Sequence, residues 1–397
     1  MKTIFNDCQV FIGDGRILES AGVMVENDRI IQVKKGELRD KDAETISLEG
    51  CTLLPGFIDC HVHLLMDMAF DTFGILLNTP DPMVMLKAAK FANDTLLAGI
   101  TSVRDLGGKN GIDLLLRDAI KAGMVPGPRM QACGRMICMT GGTGWQLGRE
   151  ADGPDEIRKA VREELKSGVD VMKIMATGGI LTAGTEPGSS QFTEEEMRAG
   201  IEEAHKAGRK TSTHAQGTEG IKNAVRAGID SIEHGFYLDD EAVDLMKNRG
   251  VAFLPTLAIY KSGVRALAAG FPQPMIDEYL KMRPDHYQSV KMAHEAGITI
   301  GLGTDAGTAF NVHGENLVEL KYLVEMGLSP MEALQAGTLT GAEILGVDES
   351  LGSIEEGKLA DLVVVEGSPM DDVELLLDKD RFRIIMQGGN FVKKSGF

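Results

Sequence analysis

A lysine interrupts an apolar run in the middle of the chain, in the segment SGVDVMKIMATGG. Lys173 lies there between Met172 and Ile174, where the apolar pattern predicts a buried strand. Burial of an ammonium group is costly unless the charge is paired, and an unpaired ammonium tends to lose its proton. The sequence therefore leaves two interpretations. Either Lys173 pairs with a neighbouring acid such as Asp105 or Glu233, or it is a neutral amine.

Four histidines and an aspartate share with this lysine a position near the end of a predicted strand. His61 and His63 are two residues apart, so strand alternation points both imidazoles to the same face. His214, His234 and Asp305 end three further predicted strands. Neutral imidazoles and carboxylates are ligands of divalent first-row metals, among which zinc is common. Together they predict a metal centre, although a single histidine at a strand end is more often a structural, hydrogen-bonded residue than a metal ligand.

A neutral Lys173 is compatible with such a centre. A neutral amine in a dry site can add carbon dioxide and become a carbamate, whose two oxygens can bridge two cations. Two metals about 3.5–4 Å apart would share a hydroxide, with the pKa of bound water lowered to roughly 7. In this interpretation the cofactors are two divalent metal ions, with zinc as the expected metal, and a carboxylated Lys173, whereas the ion pair with Asp105 or Glu233 remains the alternative.

The middle of the chain repeats one join, in which an amphipathic helix ends in glycine and a strand follows. The join occurs in LLAGITSVRD, ELKSGVDVMKI, AHKAGRKTSTH, AVRAGIDSIEH, MKNRGVAFLPT and AHEAGITIGLGTD. Alternating helices and strands predict βαβ crossovers and a parallel sheet. GFIDCHVH and PRMQACGRMI add two predicted strands to the six of these joins and bring the total to eight. Eight β/α units predict an α/β protein with a closed (β/α)8 TIM barrel. A doubly wound sheet is the alternative, weakened because no G-x-G-x-x-G opens the first helix.

Both ends of the chain consist of short β-like runs separated by Gly, Asp and Asn turn signals. Residues 1–56 and 352–397 are therefore predicted to form one small β-sandwich-like module. Residues 57–351 are predicted to form the barrel. In a barrel, functional side chains lie at the C-terminal ends of the strands, which is where the candidate ligands occur.

Composition limits the partners of the protein. The chain has 397 residues and a formal net charge of −18, which argues against nucleic acid or an anionic membrane as the main partner. A small-molecule substrate and self-association into a homo-oligomer remain. Five scattered cysteines without a C-x-x-C motif predict reduced thiols. Asn6, Asp7 and Gly13 come too early for a signal-peptide core, so a cytoplasmic location is expected.

These motifs resemble those of the amidohydrolase superfamily over the whole chain. PGFIDCHVH is similar to the opening H-x-H signature of that superfamily. KIMATGGILTAGTEPGSSQFTEEEM, the run from EEAHKAGRKTSTH to YLDDEA, and GTDAG resemble the imidazolonepropionase-like branch, which includes Xaa-Pro dipeptidase-like enzymes. GSIEEGKLADLVVVEGSP is similar to the usual return into the terminal β module.

The resemblance implies a role for each candidate ligand. His61, His63 and Asp305 would hold the more buried metal, His214 and His234 the more exposed one, and a carboxylated lysine would bridge them. Imidazolonepropionase itself and the deaminase-type members use one metal and lack this lysine. The segment VMKI therefore points to the binuclear hydrolases.

The predicted reaction is hydrolysis of an amide or peptide-like C–N bond, in a dipeptide such as Xaa-Pro or in an N-acyl amino acid. The bridging hydroxide would attack, and Asp305 would take its proton and deliver it to the leaving amine. Tyr237 is either a donor to the oxyanion or to a substrate carboxylate, or a packing residue at the rim. The alternatives are a cyclic amide, lactone or organophosphate hydrolase on the same site, and a non-catalytic scaffold.

Further residues are candidate substrate contacts. Relatives often read T-G-G-H-G where this chain reads TGGTG, so Thr143 replaces a histidine and the substrate preference is open. Gly142 lets the backbone approach a ligand, Trp145 is a pocket wall or a packing residue, and His313 could line the site. Three cations are candidate carboxylate anchors or solvated surface charges: Arg149, Lys261 and Arg265.

Overall fold

The structure, a computed structural model, describes residues 2–180, 182, 184–269, 273, 277 and 280–396, without the side chains of residues 264 and 267. The chain divides into two compact units. The first contains Met1–Asp59, Asp94–Ser102 and Gly314–Phe397, and the second contains Cys60–Asn93 and Val103–His313. The module boundaries at residues 56 and 352 stay a prediction. Among the described helices, none combines the length and apolar character needed to cross a membrane.

The strands of the described residues are, in chain order, β1 (Lys2–Phe11), β2 (Ile17–Glu26), β3 (Arg29–Lys35), β4 (Glu44–Ser47), β5 (Cys51–Pro55), β6 (Phe57–Val62), β7 (Ile100–Asp105), β8 (Arg129–Ala132), β9 (Ile137–Cys138), β10 (Arg149–Glu150), β11 (Val171–Met175), β12 (Lys210–Ala215), β13 (Ser231–His234), β14 (Ala252–Leu254), β15 (Leu362–Glu366), β16 (Phe382–Gln387) and β17 (Asn390–Lys394).

The α-helices of the described residues are α1 (Thr72–Asn78), α2 (Asp81–Leu96), α3 (Ile112–Lys121), α4 (Gly153–Ser167), α5 (Glu194–Lys206), α6 (Thr218–Ala227), α7 (Asp240–Arg249), α8 (Ile259–Ala268), α9 (Arg283–Ala296), α10 (Val318–Glu325), α11 (Pro330–Ala336) and α12 (Leu339–Leu345). Short 3₁₀ helices cover Val373–Leu377 and Lys379–Arg381.

In the first unit, strands from both ends of the chain form one sheet. Its order is β17-β16-β15-β5-β1-β2-β3, and β4 pairs with β1. The two ends meet where β15 runs antiparallel to β5, with Val364 opposite Leu53. Buried apolar side chains of both ends pack in one cluster, which includes Phe5, Val23 and Ile384. Burial of this apolar surface is the main force that joins the terminal segments.

Parallel strands with intervening helices carry three of the predicted ligands, Lys173, His214 and His234, and the predicted α/β class is confirmed. One sheet has the order β10-β9-β11-β12-β13-β14, in which β11 to β14 run parallel, and a second has the order β6-β7-β8. Glycine ends the intervening helices α4 and α6, where Gly168 and Gly228 adopt φ of 89° and 102°. The left-handed conformation closes the last helical turn and is accessible to glycine without strain.

The eighth predicted strand differs from the expectation. Instead of a regular strand, its residues form isolated parallel bridges, Phe253 with Ile300 and Val62 with Ala306. The backbone leaves the extended conformation at Asp305, where φ is 60°, and the amides of Thr304 and Asp305 both donate to the carbonyl of His61. Regular pairing cannot continue through such a turn, because successive amides no longer point to alternate sides.

Candidate metal centre

The carboxyl ends of the parallel strands bring the six predicted ligands together. Lys173 lies in β11, His214 in β12 and His234 at the end of β13, and the register places these strand ends side by side. The rings of His214 and His234 are 4.5 Å apart between centroids, and those of His61 and His234 are 5.2 Å apart. Each of His61, His63 and Asp305 offers one ligand atom, and these atoms lie within 4.8 Å of one another.

His61 is oriented by a buried carboxylate. Its Nδ1 lies 2.9 Å from Oε2 of Glu233, and both side chains are almost inaccessible to solvent. The other oxygen of Glu233 accepts hydrogen bonds from Arg104 Nη2, Ser212 Oγ and Ser231 Oγ, each at 2.8 Å. With a carboxylate as partner, Nδ1 carries the proton and the lone pair lies on Nε2. Nε2 faces Asp305, whose Oδ1 is 3.3 Å away.

Three imidazoles of the site, those of His61, His214 and His234, are held in the neutral form. Burial lowers the pKa of His214 to about 3, and it lowers the pKa of His61 and of His234 well below the usual value. Nδ1 of His234 lies 2.8 Å from the hydroxyl of Thr256, which orients that ring. Neutral imidazoles with a defined ring orientation are the form in which histidine binds a metal.

Three non-glycine residues of the site adopt left-handed backbone conformations. His234, Thr256 and Asp305 have φ of 73°, 56° and 60°. Such conformations are unfavourable for residues with a Cβ, and they cluster at functional sites where the surrounding packing maintains them. Two of these residues, His234 and Asp305, are predicted ligands, and the third, Thr256, contacts His234.

Lys173 has no acid partner within the described part of the chain. The side chain is buried, and its Nζ has no hydrogen-bond partner among the described residues. The oxygens of Glu233 are engaged by the four groups named above. Those of Asp105 accept hydrogen bonds from the amides of Leu64 at 2.7 Å and Gly107 at 3.3 Å. Burial lowers the pKa of Lys173 to about 8, so the neutral amine is accessible near neutral pH.

A cavity of about 450 Å³ opens above these ligands. Its described walls are mainly apolar, and they include Phe70, Phe73, Met136, Met175, Phe236 and Ile259. All six predicted ligands line it, together with the neutral polar side chains of Thr143, Thr182, Gln216, Ser262 and Thr308. The arrangement combines reactive groups at one end with an apolar chamber for the substrate.

The predicted substrate contacts are only partly brought together. Of the residues proposed for this role, Thr143 lines the cavity, whereas Gly142, Trp145, Tyr237 and His313 are not among its described lining residues. Trp145 is 45% exposed, and Tyr237 is half-buried beside the ring of Phe236. His313 stacks on Phe91, and its Nε2 lies 2.9 Å from the carbonyl of Met66. Their roles in substrate binding stay predictions.

Three residues that orient the ligands were not identified from the sequence as having that role. Glu233 and Arg104 form a buried pair with a separation of 2.8 Å, and Thr256 contacts His234. Glu233 was considered as a partner for Lys173, but it contacts His61 instead. A signal was present, because Arg104 and Glu233 are opposite charges inside the apolar strand sequences ITSVRD and SIEH. Buried charges of opposite sign are expected to pair.

The site fits divalent metal ions. Three buried nitrogens have no hydrogen-bond partner among the described residues: His63 Nδ1, Lys173 Nζ and His214 Nε2. Such groups are costly to bury unless something binds them. The donor set consists of neutral nitrogen and carboxylate oxygen, which first-row divalent cations prefer.

Buried imidazoles, a carboxylate and an amine at the ends of parallel strands are the type of site found in metal-dependent hydrolases. The sequence model of the amidohydrolase family matches residues 52–392, and the chain belongs to this family. The predicted family and branch are confirmed, and the protein is a hydrolase that acts on C–N bonds.

The chain is similar to several characterised proteins along most of its length. It is 29% identical to ochratoxinase of Aspergillus niger over 416 residues, which cover 97% of this chain and 85% of ochratoxinase. It is 24% identical to imidazolonepropionase of Micrococcus luteus, with 89% of each chain covered. The crystal structure of a Xaa-Pro dipeptidase with bound methionine in the active site matches with a TM-score of 0.89 and 33% identity. That match covers 99% of this chain and 100% of the dipeptidase.

Proposed function

We propose that the protein is a binuclear metal-dependent hydrolase that cleaves the C–N bond of a peptide-like amide. Dipeptides such as Xaa-Pro and N-acyl amino acids are the substrate groups considered first. The observation that carries the proposal is Lys173, a buried amine that lies among four buried imidazoles and a carboxylate and has no hydrogen-bond partner in the described ranges. The similarity to a Xaa-Pro dipeptidase and to ochratoxinase supports the same reaction class.

The proposed architecture is a closed barrel of eight β/α units. Hydrogen bonds beyond the two sheets support it. The amide of Asp170, which precedes β11, donates to Ala132 in β8, and Phe253 in β14 bridges Ile300. The amide of Cys60 in β6 donates to Leu302. These bonds connect neighbouring strand ends around the site, as closure requires.

Two divalent cations, with zinc as the expected metal, would be held by the six residues that line the base of the cavity. His61, His63 and Asp305 form one proposed set, and His214 and His234 form the other. Lys173 would serve both after its neutral nitrogen adds carbon dioxide, which forms an N–C bond and releases one proton. When bound, such cations polarise the scissile carbonyl and make water more acidic.

The residues of the chain have separate tasks in this proposal. Glu233 fixes the ring of His61, and Thr256 fixes that of His234. Asp305 takes a proton from the attacking water and gives it to the nitrogen of the leaving amine, so the C–N bond breaks with a neutral leaving group. The side chain of Asp305 is 13% exposed and faces the cavity, where both transfers would occur. The apolar walls exclude bulk water from the reacting groups.

Two other functions are alternatives to this amide hydrolase. A cyclic amide, lactone or organophosphate hydrolase would use the same ligands, and the apolar cavity lining favours keeping it as the second candidate. A non-catalytic scaffold is the remote alternative, against which the complete ligand set counts. The cytoplasmic location and self-association stay predictions.

The proposal is tested with zinc-loaded protein and a library of Xaa-Xaa dipeptides, N-acyl amino acids and their uncharged analogues, lactones, cyclic amides and organophosphates. Release of a free amine from open-chain amides is expected, and Asp305→Asn is the control for contaminating activity. Turnover of lactones, ring amides or organophosphates, together with no amine release from any open-chain amide, would replace the first candidate by the second. A metal content near zero after preparation without chelator would favour the scaffold.

A further inference from the structure

The cavity contains few charged groups apart from the proposed metal ligands. Among its described lining residues none is arginine, and Lys173 is the one lysine. The histidines there are the four proposed ligands, and the one further carboxylate is the exposed Asp71. Asp71 accepts a hydrogen bond from the amide of Gly74 at the start of α1. Apart from the proposed metal ligands, the described side chains that line this chamber therefore offer no cation to a carboxylate.

The three candidate carboxylate anchors are not among the described lining residues. Arg149 pairs with Glu163, its Nε 2.9 Å from the carboxylate. Arg265 donates to the carbonyl of Phe310 at 3.3 Å, and Lys261 also lies outside the lining. The residues outside the described ranges include no lysine, arginine or histidine in the sequence. No undescribed residue therefore supplies the missing cation.

Neutral hydrogen-bonding groups take the place of charges. Thr143 Oγ1, Gln216 Oε1 and Ser262 Oγ are buried and have no hydrogen-bond partner among the described residues. All three side chains line the cavity. A buried polar atom without a partner is costly, and a ligand that supplies the partner recovers that free energy. Most of the remaining lining residues are aromatic or aliphatic, which favours a large apolar substituent.

We propose that the substrate is an uncharged amide with a large apolar group, and that Thr143, Gln216 and Ser262 determine this specificity through neutral hydrogen bonds. The inference rests on the proposed function and narrows it. A substrate with a free carboxylate would lose its hydration in this chamber and find no cation among the lining side chains. A neutral amide avoids that penalty, so free dipeptides and N-acyl amino acids are poorer substrates than their uncharged analogues.

The test compares two substrates that contain the same single amide bond, N-benzoyl-L-phenylalanine and N-benzoyl-L-phenylalaninol. With zinc-loaded protein, kcat/KM is expected to be at least about 100-fold higher for the phenylalaninol compound. Equal values, or a preference for the carboxylate, would overturn the inference and leave the proposed function intact. Turnover of neither compound, nor of any amide in the library, would overturn both.

A charge-introducing variant tests the assignment of the specificity residues. Thr143→Arg is expected to shift the ratio of the two kcat/KM values by at least about tenfold toward the carboxylate. Leu115→Arg is the matched control, because Leu115 is 61% exposed on α3 and outside the lining. The control should leave the ratio unchanged. An unchanged ratio in folded Thr143→Arg contradicts the assignment of Thr143.

Gln216→Leu provides a second test that does not introduce a charge. Its loss of one neutral hydrogen bond is expected to raise KM for the phenylalaninol compound about tenfold, with a smaller change in kcat. If Thr143→Arg does not fold, this variant decides the outcome. Unaltered kinetics for the uncharged substrate would overturn the role of neutral hydrogen bonding.

Discussion

Glu233 Oε2 lies 2.9 Å from Nδ1 of His61, and Glu233 Oε1 lies 2.8 Å from Nη2 of Arg104. All three side chains are at most 1% exposed. One carboxylate thus holds a proposed metal ligand with one oxygen and a buried guanidinium with the other. Removal of the carboxylate charge would leave Arg104 as an unpaired charge in the interior.

We expect Glu233→Gln to weaken both the fold and the metal site. The unfolding free energy of the metal-free protein should fall by about 3–5 kcal/mol, because the guanidinium loses its counter-charge. Metal affinity should fall about 10–100-fold, as for other residues that orient a ligating histidine. Urea denaturation and metal content after dialysis measure the two effects. Glu219→Gln is the control, because that side chain is 73% exposed. A change in Glu233→Gln no larger than in this control would contradict the prediction.

We expect Lys173 to carry carbon dioxide in the metal-loaded protein. Reconstitution with zinc and ¹³C-bicarbonate should give a carbamate ¹³C resonance that is absent from Lys173→Met, whose activity should fall at least about 100-fold. Lys222→Met is the matched control. Lys222 Nζ donates to Asp239 at 2.8 Å and to Glu241 at 2.7 Å, and these bonds raise its pKa, so that it stays an ammonium. The same resonance in Lys173→Met and in the unaltered protein would disprove the assignment.

We expect Asp305→Asn to lower kcat by about 10²–10⁴-fold, the usual contribution of general acid–base catalysis. The amide is almost isosteric with the carboxylate but does not accept the proton of the attacking water. Metal content must be measured in the same preparations, since Asp305 Oδ1 also lies 3.2 Å from Nε2 of His63. Near-native turnover with both metals retained would show that another group transfers the proton.

The pH dependence of stability should reveal a buried histidine outside the proposed ligands. Burial lowers the pKa of His286 from 6.5 to about 3, and its Nδ1 lies 2.9 Å from the hydroxyl of Tyr260. Below pH 6.5 the unfolded chain binds a proton that the folded chain does not. The unfolding free energy therefore falls toward acid by up to about 1.4 kcal/mol per pH unit.

His286→Phe removes this contribution of His286 to the pH dependence of the unfolding free energy. The stability of the unaltered protein relative to this variant should therefore decrease between pH 6.5 and 4.5, measured by urea denaturation without metal. The variant serves as the reference because burial raises the pKa of Asp105 and Asp113. These two carboxyl groups make the unfolding free energy rise toward acid pH, which is opposite to the effect of His286. A difference that is constant over this pH range would contradict the neutral state of His286.

Much of the site was predictable because strand periodicity is local. The two-residue spacing of His61 and His63 and the strand-end positions of His214 and His234 required only the alternation of side chains along a strand. Arg104 and Glu233 are 129 positions apart, and their contact follows from packing between strands. The walls supplied by Phe70 and Ile259 lie in segments with no pattern that points to the cavity.

The sequence by itself determined the ligand types, their order along the chain and the alternation of helices and strands, because each depends on neighbouring residues. Only the tertiary structure decided that neither Glu233 nor Asp105 pairs with Lys173, because the hydrogen bonds of those two acids depend on which strands lie adjacent. It also decided that the described lining of the chamber contains no cationic side chain beyond the proposed ligands, because its walls come from distant segments. Burial of Lys173 in this environment then lowers the pKa of its amine, since the protonation state of an amine depends on the solvent and the charges around it.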